Sequence, residues 1–166
     1  MYSATPNPRW NEKIDVTYQE YMLNMYREVI DLAKEMERSL GEEKARDILG
    51  KHYLEVFTKW AESLVKKYPI NSLEDFANGE MRARTNSRSH IIEITEETSN
   101  SYRENTTSCI FAKVCRDLDA VDLGYVMFCA TDFPLAQVWN PKLRLERTKT
   151  LMQGDDCCDF HYIWKD

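Results

Sequence analysis

Apolar residues recur at three- and four-residue steps along residues 17–40, through Tyr18, Met22, Met25, Tyr26, Val29, Leu32, Ala33 and Met36. That is the period of one helical face. Gly41 predicts its stop. The pattern resumes over residues 42–67 through Ala45, Ile48, Leu49, Tyr53, Val56, Phe57, Trp60 and Leu64. Tyr68-Pro69 ends it, because the residue before a proline is disfavoured in helical geometry. Gly50 weakens this second helix by about 1 kcal/mol relative to alanine. Two helices of such length with so short a connection predict an antiparallel hairpin in which each buries the other's stripe, a scaffold role.

A short third helix is expected over residues 72–78, capped by Ser72 and closed by Gly79. Residues 89–95 are rich in β-branched side chains and partly alternating, which predicts a strand with His90, Ile92 and Ile94 on one side. A polar stretch, residues 96–105, separates it from a helix that Ser108 caps and that runs to Leu118 on the face of Ile110, Phe111, Val114, Cys115 and Leu118. Asp122 is expected to cap another helix ending near Ala130, with Pro134 limiting its extension. The C-terminal segment reads as a hairpin of residues 143–151 and 157–164 around Gln153-Gly154-Asp155-Asp156. Cys158, Phe160, Tyr162 and Trp164 share one of its faces, an expected core face. Without repeats or a linker, the expected class is α+β. An N-terminal helical hairpin and further helices pack on a small antiparallel sheet, in one domain (residues 13–166) behind a flexible segment, residues 1–12.

Composition narrows the function classes. A chain of 166 residues that is 43% hydrophobic can build one core. A net charge of −6 and a pI near 5.2 argue against a nucleic-acid partner, whose phosphates call for a basic surface. The polar start, with Pro6 and Pro8, has neither a signal peptide's apolar run nor a transit peptide's Arg-rich amphipathy. No apolar run approaches the roughly 20 residues of a membrane helix. A cytoplasmic location follows, and in that reducing setting the five cysteines are expected as thiols. None precedes position 109.

Several stock motifs are absent: a Gly-rich dinucleotide or phosphate loop, Cys-x-x-Cys, His-Glu-x-x-His and Gly-x-Ser-x-Gly. No cofactor is expected. Cys109 would begin a helix, where the dipole favours a thiolate nucleophile, the alternative being a small buried hydrophobe. Cys129 and Asp132, three apart near a helix end, can reach one region, although Asp132 can equally cap the turn before Pro134. Cys157 and Cys158 point to opposite faces of a strand, and Cys158 joins the aromatic one as either core or site residue. His90 is a satisfied core histidine or an acid–base group beside a pocket. His52 reads as peripheral, and His161 pairs only weakly with Asp159. The cysteines, aspartate and histidine suit zinc by type but match no ligand spacing, so no metal is expected.

In chain order, Cys109, Cys129-Ala-Thr-Asp132 and the block from Arg147 to Phe160 resemble the L-2-amino-thiazoline-4-carboxylic acid hydrolase family. The closest part is Thr150-Leu-Met-Gln-Gly154-Asp155-Asp-Cys-Cys158-Asp159-Phe160, which looks like that family's closing Thr-Leu…Gly-(Asp)-x-x-Cys-Asp-Phe signature. The resemblance implies hydrolysis of a small cysteine-derived ring. Water adds to the carbon between sulfur and nitrogen, and the tetrahedral intermediate expels one of them. Such chemistry needs a base, an acid and donors for the substrate carboxylate. The expected catalytic set is Cys109, Cys129, Asp132 and Cys158, with Asp132 as base and Cys109 as nucleophile or proton donor. His90, Arg147 and Thr150 are the expected substrate contacts. Gly154, Asp155, Asp159 and Phe160 are expected to form the motif's structural turn. The alternative is a small-molecule sensing module on the same fold.

Overall fold

Thr17 opens helix α1 (Tyr18–Leu40) with a capping box. Its hydroxyl accepts the backbone N–H of Glu20, and the Glu20 carboxylate accepts the Thr17 N–H. The computed structural model describes residue 13 and residues 15–85 and 87–165. The segment expected to be flexible, residues 1–12, lies outside them. Gly41, at φ 84°, breaks α1, and α2 (Glu42–Lys67) begins at once. The two pack on each other and bury Ile30 and Ala33 from one, Ala45, Leu49 and Ala61 from the other. The hairpin has the boundaries its apolar period predicts.

Ser72 caps α3 (Leu73–Phe76) by accepting the Asp75 N–H. Gly79 does not close this helix. A π turn, Ala77–Met81, and α4 (Arg82–Thr85) continue the run. Phe76, Ala77 and Met81 are all buried on either side of Gly79. Their burial outweighs the roughly 1 kcal/mol that glycine costs a helix.

Residues 96–105 are not a connection, because β1 (His90–Glu97) turns directly into β2 (Ser101–Cys109), with which it pairs antiparallel. β2 lies inside the sheet, whose order is β1-β2-β4-β3. Its inward side chains are Tyr102, Glu104 and Thr106, each 1% exposed. Two of these three are polar, so the strand lacks the apolar alternation that would announce it.

Cys109, not Ser108, is then the N-cap residue of α5 (Ile110–Asp117). α6 (Val121–Gly124) passes into a π turn, Tyr125–Cys129. Asp122 does not cap it. The N-cap position is Ala120, and Asp122 instead faces Arg46 at 3.6 Å. The run ends at Cys129, near the expected Ala130 and short of Pro134. Pro134 itself lies in the first turn of a further helix, α7 (Asp132–Trp139), where a missing N–H costs no helical bond.

β3 (Leu143–Glu146) and β4 (Cys158–Trp164) pair antiparallel, as the C-terminal pattern predicts, but β3 is short. Residues 147–151 do not continue that strand as expected, and residues 151–153, where the strand was expected to end and the turn to begin, form a 3-10 turn that Thr150 caps and Gly154 ends at φ 99°. The fold is α+β: helices cover the sheet face that carries Tyr102, Leu143, Leu145, Cys158, Phe160 and Tyr162, and one apolar cluster joins them. Among the described residues no helix is long and apolar enough to cross a membrane.

Candidate functional site

Between the inward faces of β2 and β4 and the helices α2 and α7 lies a cavity of about 230 Å³. Cys109 reaches it from the end of β2, Cys129 from the end of the π turn, Asp132 from the first turn of α7, and Cys158 from β4. Residues up to 49 positions apart in the chain thus share one wall. His90 and Arg147 line it too. Much of the rest is aromatic, with Phe111, Phe128, Trp139 and Phe160 among the lining side chains.

Asp132 and Arg147 form an ion pair on the cavity wall. Arg147 Nη1 donates to Asp132 Oδ2 at 2.6 Å and Nη2 to the Cys129 carbonyl at 3.0 Å. The guanidinium lies over the Phe133 and Phe160 rings, and its side chain is 3% exposed. Asp132 therefore does not cap a turn. Its carboxyl is pushed above the usual range by burial, against the pull of Arg147 and Arg84. Asp132 lines the cavity and keeps 31% of its side chain accessible. Burial works to lower the Arg147 value, and Asp132, Cys129 and Cys158 together more than offset this.

Burial also raises two thiols of the cavity, Cys109 and Cys129. Cys129 is pushed up to about 12, with Asp132 adding to the effect. Cys109 rises as well, although the N–H groups of Ala112 and Phe111 at the start of α5 pull the other way. The helix start therefore does not produce a resting thiolate, because desolvation outweighs the dipole. Cys158 is buried, accepts the Leu151 N–H at 3.2 Å and donates to Thr150 Oγ1 at 3.7 Å. Burial, then Arg84, lowers His90 to about 4, so the imidazole is neutral near pH 7.

Thr150 does not line the cavity. Its hydroxyl accepts the Met152 N–H and lies 3.9 Å from Cys129 Sγ, so it ties the two thiols from behind. Asp155 and Asp159 hold the loop. Asp155 accepts the Thr150 N–H at 2.7 Å, and Asp159 accepts the N–H groups of Thr148 and Lys149. Gly154 supplies the left-handed residue and Phe160 lines the cavity. Cys157 lies before β4, its Sγ 4.0 Å from Asn105 Oδ1. His161 meets Ser101 and Glu146 instead of Asp159, and His52 is exposed on α2.

Residues 21–162 match the L-2-amino-thiazoline-4-carboxylic acid hydrolase family. The chain belongs to that family. No curated protein matches this family member. Among solved structures it is similar to the phenol-responsive sensory domain of the transcription activator PoxR with phenol. That pair has a TM-score of 0.56 and 12% identity, over 92% of this chain and 77% of that one. It is also similar to trafficking protein particle complex subunit 3 from Naegleria fowleri, covalently bound to palmitic acid. Here the TM-score is 0.54 and the identity 11%, over 89% and 95% of the two chains. Both likenesses are of fold alone.

Sequence patterns missed four charged or polar groups of this hydrolase family member's site. Glu80 and Arg84 line the cavity from the helical run past Gly79, and Thr106 lines it from β2. Glu104, behind them, is 1% exposed and lies 3.2 Å from Arg84 Nη1, an ion pair without hydrogen-bond angles. Burial raises both Glu80 and Glu104, and Arg84 opposes it. The alternation Tyr102, Glu104, Thr106 is the signal that would have found two of the four, had the segment been read as a strand. Nothing in the local sequence marks Glu80 or Arg84.

Proposed function

We propose that the cavity is the active site of a cytoplasmic hydrolase that opens a small cysteine-derived ring such as L-2-amino-thiazoline-4-carboxylate. The observation that carries this reading is the meeting of Cys109, Cys129, Asp132 and Cys158 in one cavity. Its volume, about 230 Å³, is just under the roughly 300–1,000 Å³ of sites for drug-sized ligands, a scale that suits a single five-membered ring.

In this reading Asp132 is the general base. Arg147 holds its Oδ2, and Oδ1 takes the proton of the attacking water. A carboxylate with a raised pKa is a stronger base than one in water, which supports the assignment. Water adds to the ring carbon between sulfur and nitrogen, and the proton returns to the atom that leaves. The raised thiols of Cys109 and Cys129 favour proton donation over nucleophilic attack. Opening at sulfur releases a thiol, whereas opening at nitrogen leaves a thioester-like carbamoyl group and a free amine.

A second reading, a non-catalytic small-molecule sensor, draws on the aromatic lining and on the fold shared with the phenol-responsive domain of PoxR. Turnover separates the two. Purified protein is incubated with L-2-amino-thiazoline-4-carboxylate, and ring opening is followed by mass gain of one water and by thiol titration. Turnover is expected, and Asp132→Asn is expected to lower kcat by about 100-fold or more while leaving Tm near the parent value. A folded parent protein that binds the ring without opening it would favour the sensor. Near-normal turnover by Asp132→Asn, with loss in Cys109→Ser, would replace the general base with a cysteine nucleophile.

A further inference from the structure

Two polar atoms of residues that line the cavity are anomalous. Thr106 Oγ1 and His90 Nδ1 are buried, and neither has a hydrogen-bond partner among the described residues. A buried hydroxyl or imidazole nitrogen left unpaired costs free energy that a protein ordinarily avoids, so both are candidates to meet a ligand. They lie near each other: β1 and β2 pair, with His90 opposite Cys109 and Thr106 opposite Ile92. Arg84 approaches the same wall from α4, which packs on β1.

Among the described residues, Arg84 retains donors. Its Nη1 meets Glu104 Oε1 at 3.2 Å and Met81 Sδ at 3.8 Å, and the guanidinium lies 4.8 Å from the centre of the Phe160 ring. Nε and Nη2 carry further N–H groups, because a guanidinium has five. Glu104 supports it from behind and does not line the cavity. Asp132, Cys129 and Arg147 hold one another at a different part of the wall. Arg147 directs Nη1 to the base and Nη2 to the Cys129 carbonyl, whereas the contacts of Arg84 run through Nη1, which makes Arg84 the better-placed cation for a ligand's anionic end.

We propose that Arg84, Thr106 and His90 form a carboxylate-recognition subsite, which makes the cavity selective for small ring acids over uncharged rings of the same shape. The guanidinium fork and the threonine hydroxyl each donate to carboxylate oxygens, and the neutral imidazole donates from Nδ1 in the matching tautomer. The carboxylate anchors one end of the ring and directs the other toward Asp132. The proposal deepens the hydrolase reading and rests on the cavity being a ligand site.

The test uses full-length protein and two unreactive probes, thiazolidine-4-carboxylate and thiazolidine, whose ring carbon between sulfur and nitrogen is a saturated CH2 without the C=N bond to which water adds. Calorimetric titration is expected to give the acid at least about tenfold higher affinity than the bare ring, the scale of one charge-assisted hydrogen bond. Thr106→Val is expected to remove most of that preference while leaving Tm at or above the parent value, since it deletes an unpaired buried hydroxyl. Arg84→Lys keeps a charge beside Glu104 and is expected to retain the fold with a reduced preference. Equal binding of both probes, or a Thr106→Val variant that weakens both alike, would overturn the subsite. So would failure of the acid to bind a folded parent protein. A preserved preference for the acid without turnover of the thiazoline ends the hydrolase reading and leaves the subsite standing. Turnover without any preference does the reverse.

Discussion

His90 couples the site to acid. Its imidazole titrates near 4 in the folded protein against an ordinary 6.5, chiefly because it is desolvated. The unfolded chain therefore takes up a proton that the folded one refuses over that interval. Stability from this group is complete above pH 6.5 and is lost progressively as pH falls toward 4. Asp132, Glu80 and Glu104 have raised values and act in the opposite sense, favouring the folded state in acid. Comparing the parent with His90→Phe cancels those terms. The Tm difference, parent minus variant, should fall steadily from pH 7 to pH 4 in thermal scans, and a constant difference would mean that His90 protonates normally. At this scale Cys109, Cys129, Asp132, Cys158, His90 and Arg147 were legible from residue type and motif order, and one cavity gathers them. Arg84, Glu80 and Thr106 were not, because nothing in an isolated Arg, Glu or Thr tells which solvent it will face. Thr150 was read as a contact and stands behind the thiols instead.

Among the elements, the α6 helix and the π turn after it carry Cys129 to the cavity, and Gly124 joins the two. A Cβ there would come within 2.5 Å of Cys115 Sγ, 2.8 Å of Met152 Sδ and 2.9 Å of Cys115 Cβ. Both neighbours are buried, so neither has space to withdraw. Gly124→Ala should lower stability by about 1–3 kcal/mol, which for a chain of this size is a Tm drop of about 3–10 °C. An unchanged Tm would show that the core here yields to a methyl group. Helix-forming segments with strong apolar period, α1 and α2, were legible to the residue. β2 and α7 were not. The inward face of β2 holds Glu104 and Thr106, and a proline in the first turn of α7 reads as a breaker when it is an opener.

For the whole molecule, all five cysteines are free thiols, three at the cavity, one in the core and one beside β2. No cross-link contributes to stability, so a reductant should move Tm by no more than about 2 °C in calorimetry, far less than loss of a structural disulfide would. A fall of about 10 °C would reveal a bridge. The sequence by itself determined the helical hairpin, the β4 face, the α+β class and the family, since each rests on periodicity or on motif residues close together in the chain. The tertiary structure alone decided which polar groups became interior. Pairing β2 between β1 and β4 buried Glu104 and Thr106, and extending the third helix past Gly79 brought Arg84 to them. Arg84 lies 20 positions from Glu104 and β2 pairs with β4 across 52 to 62 positions, and local patterns carry no information about a partner that only the folded sheet supplies.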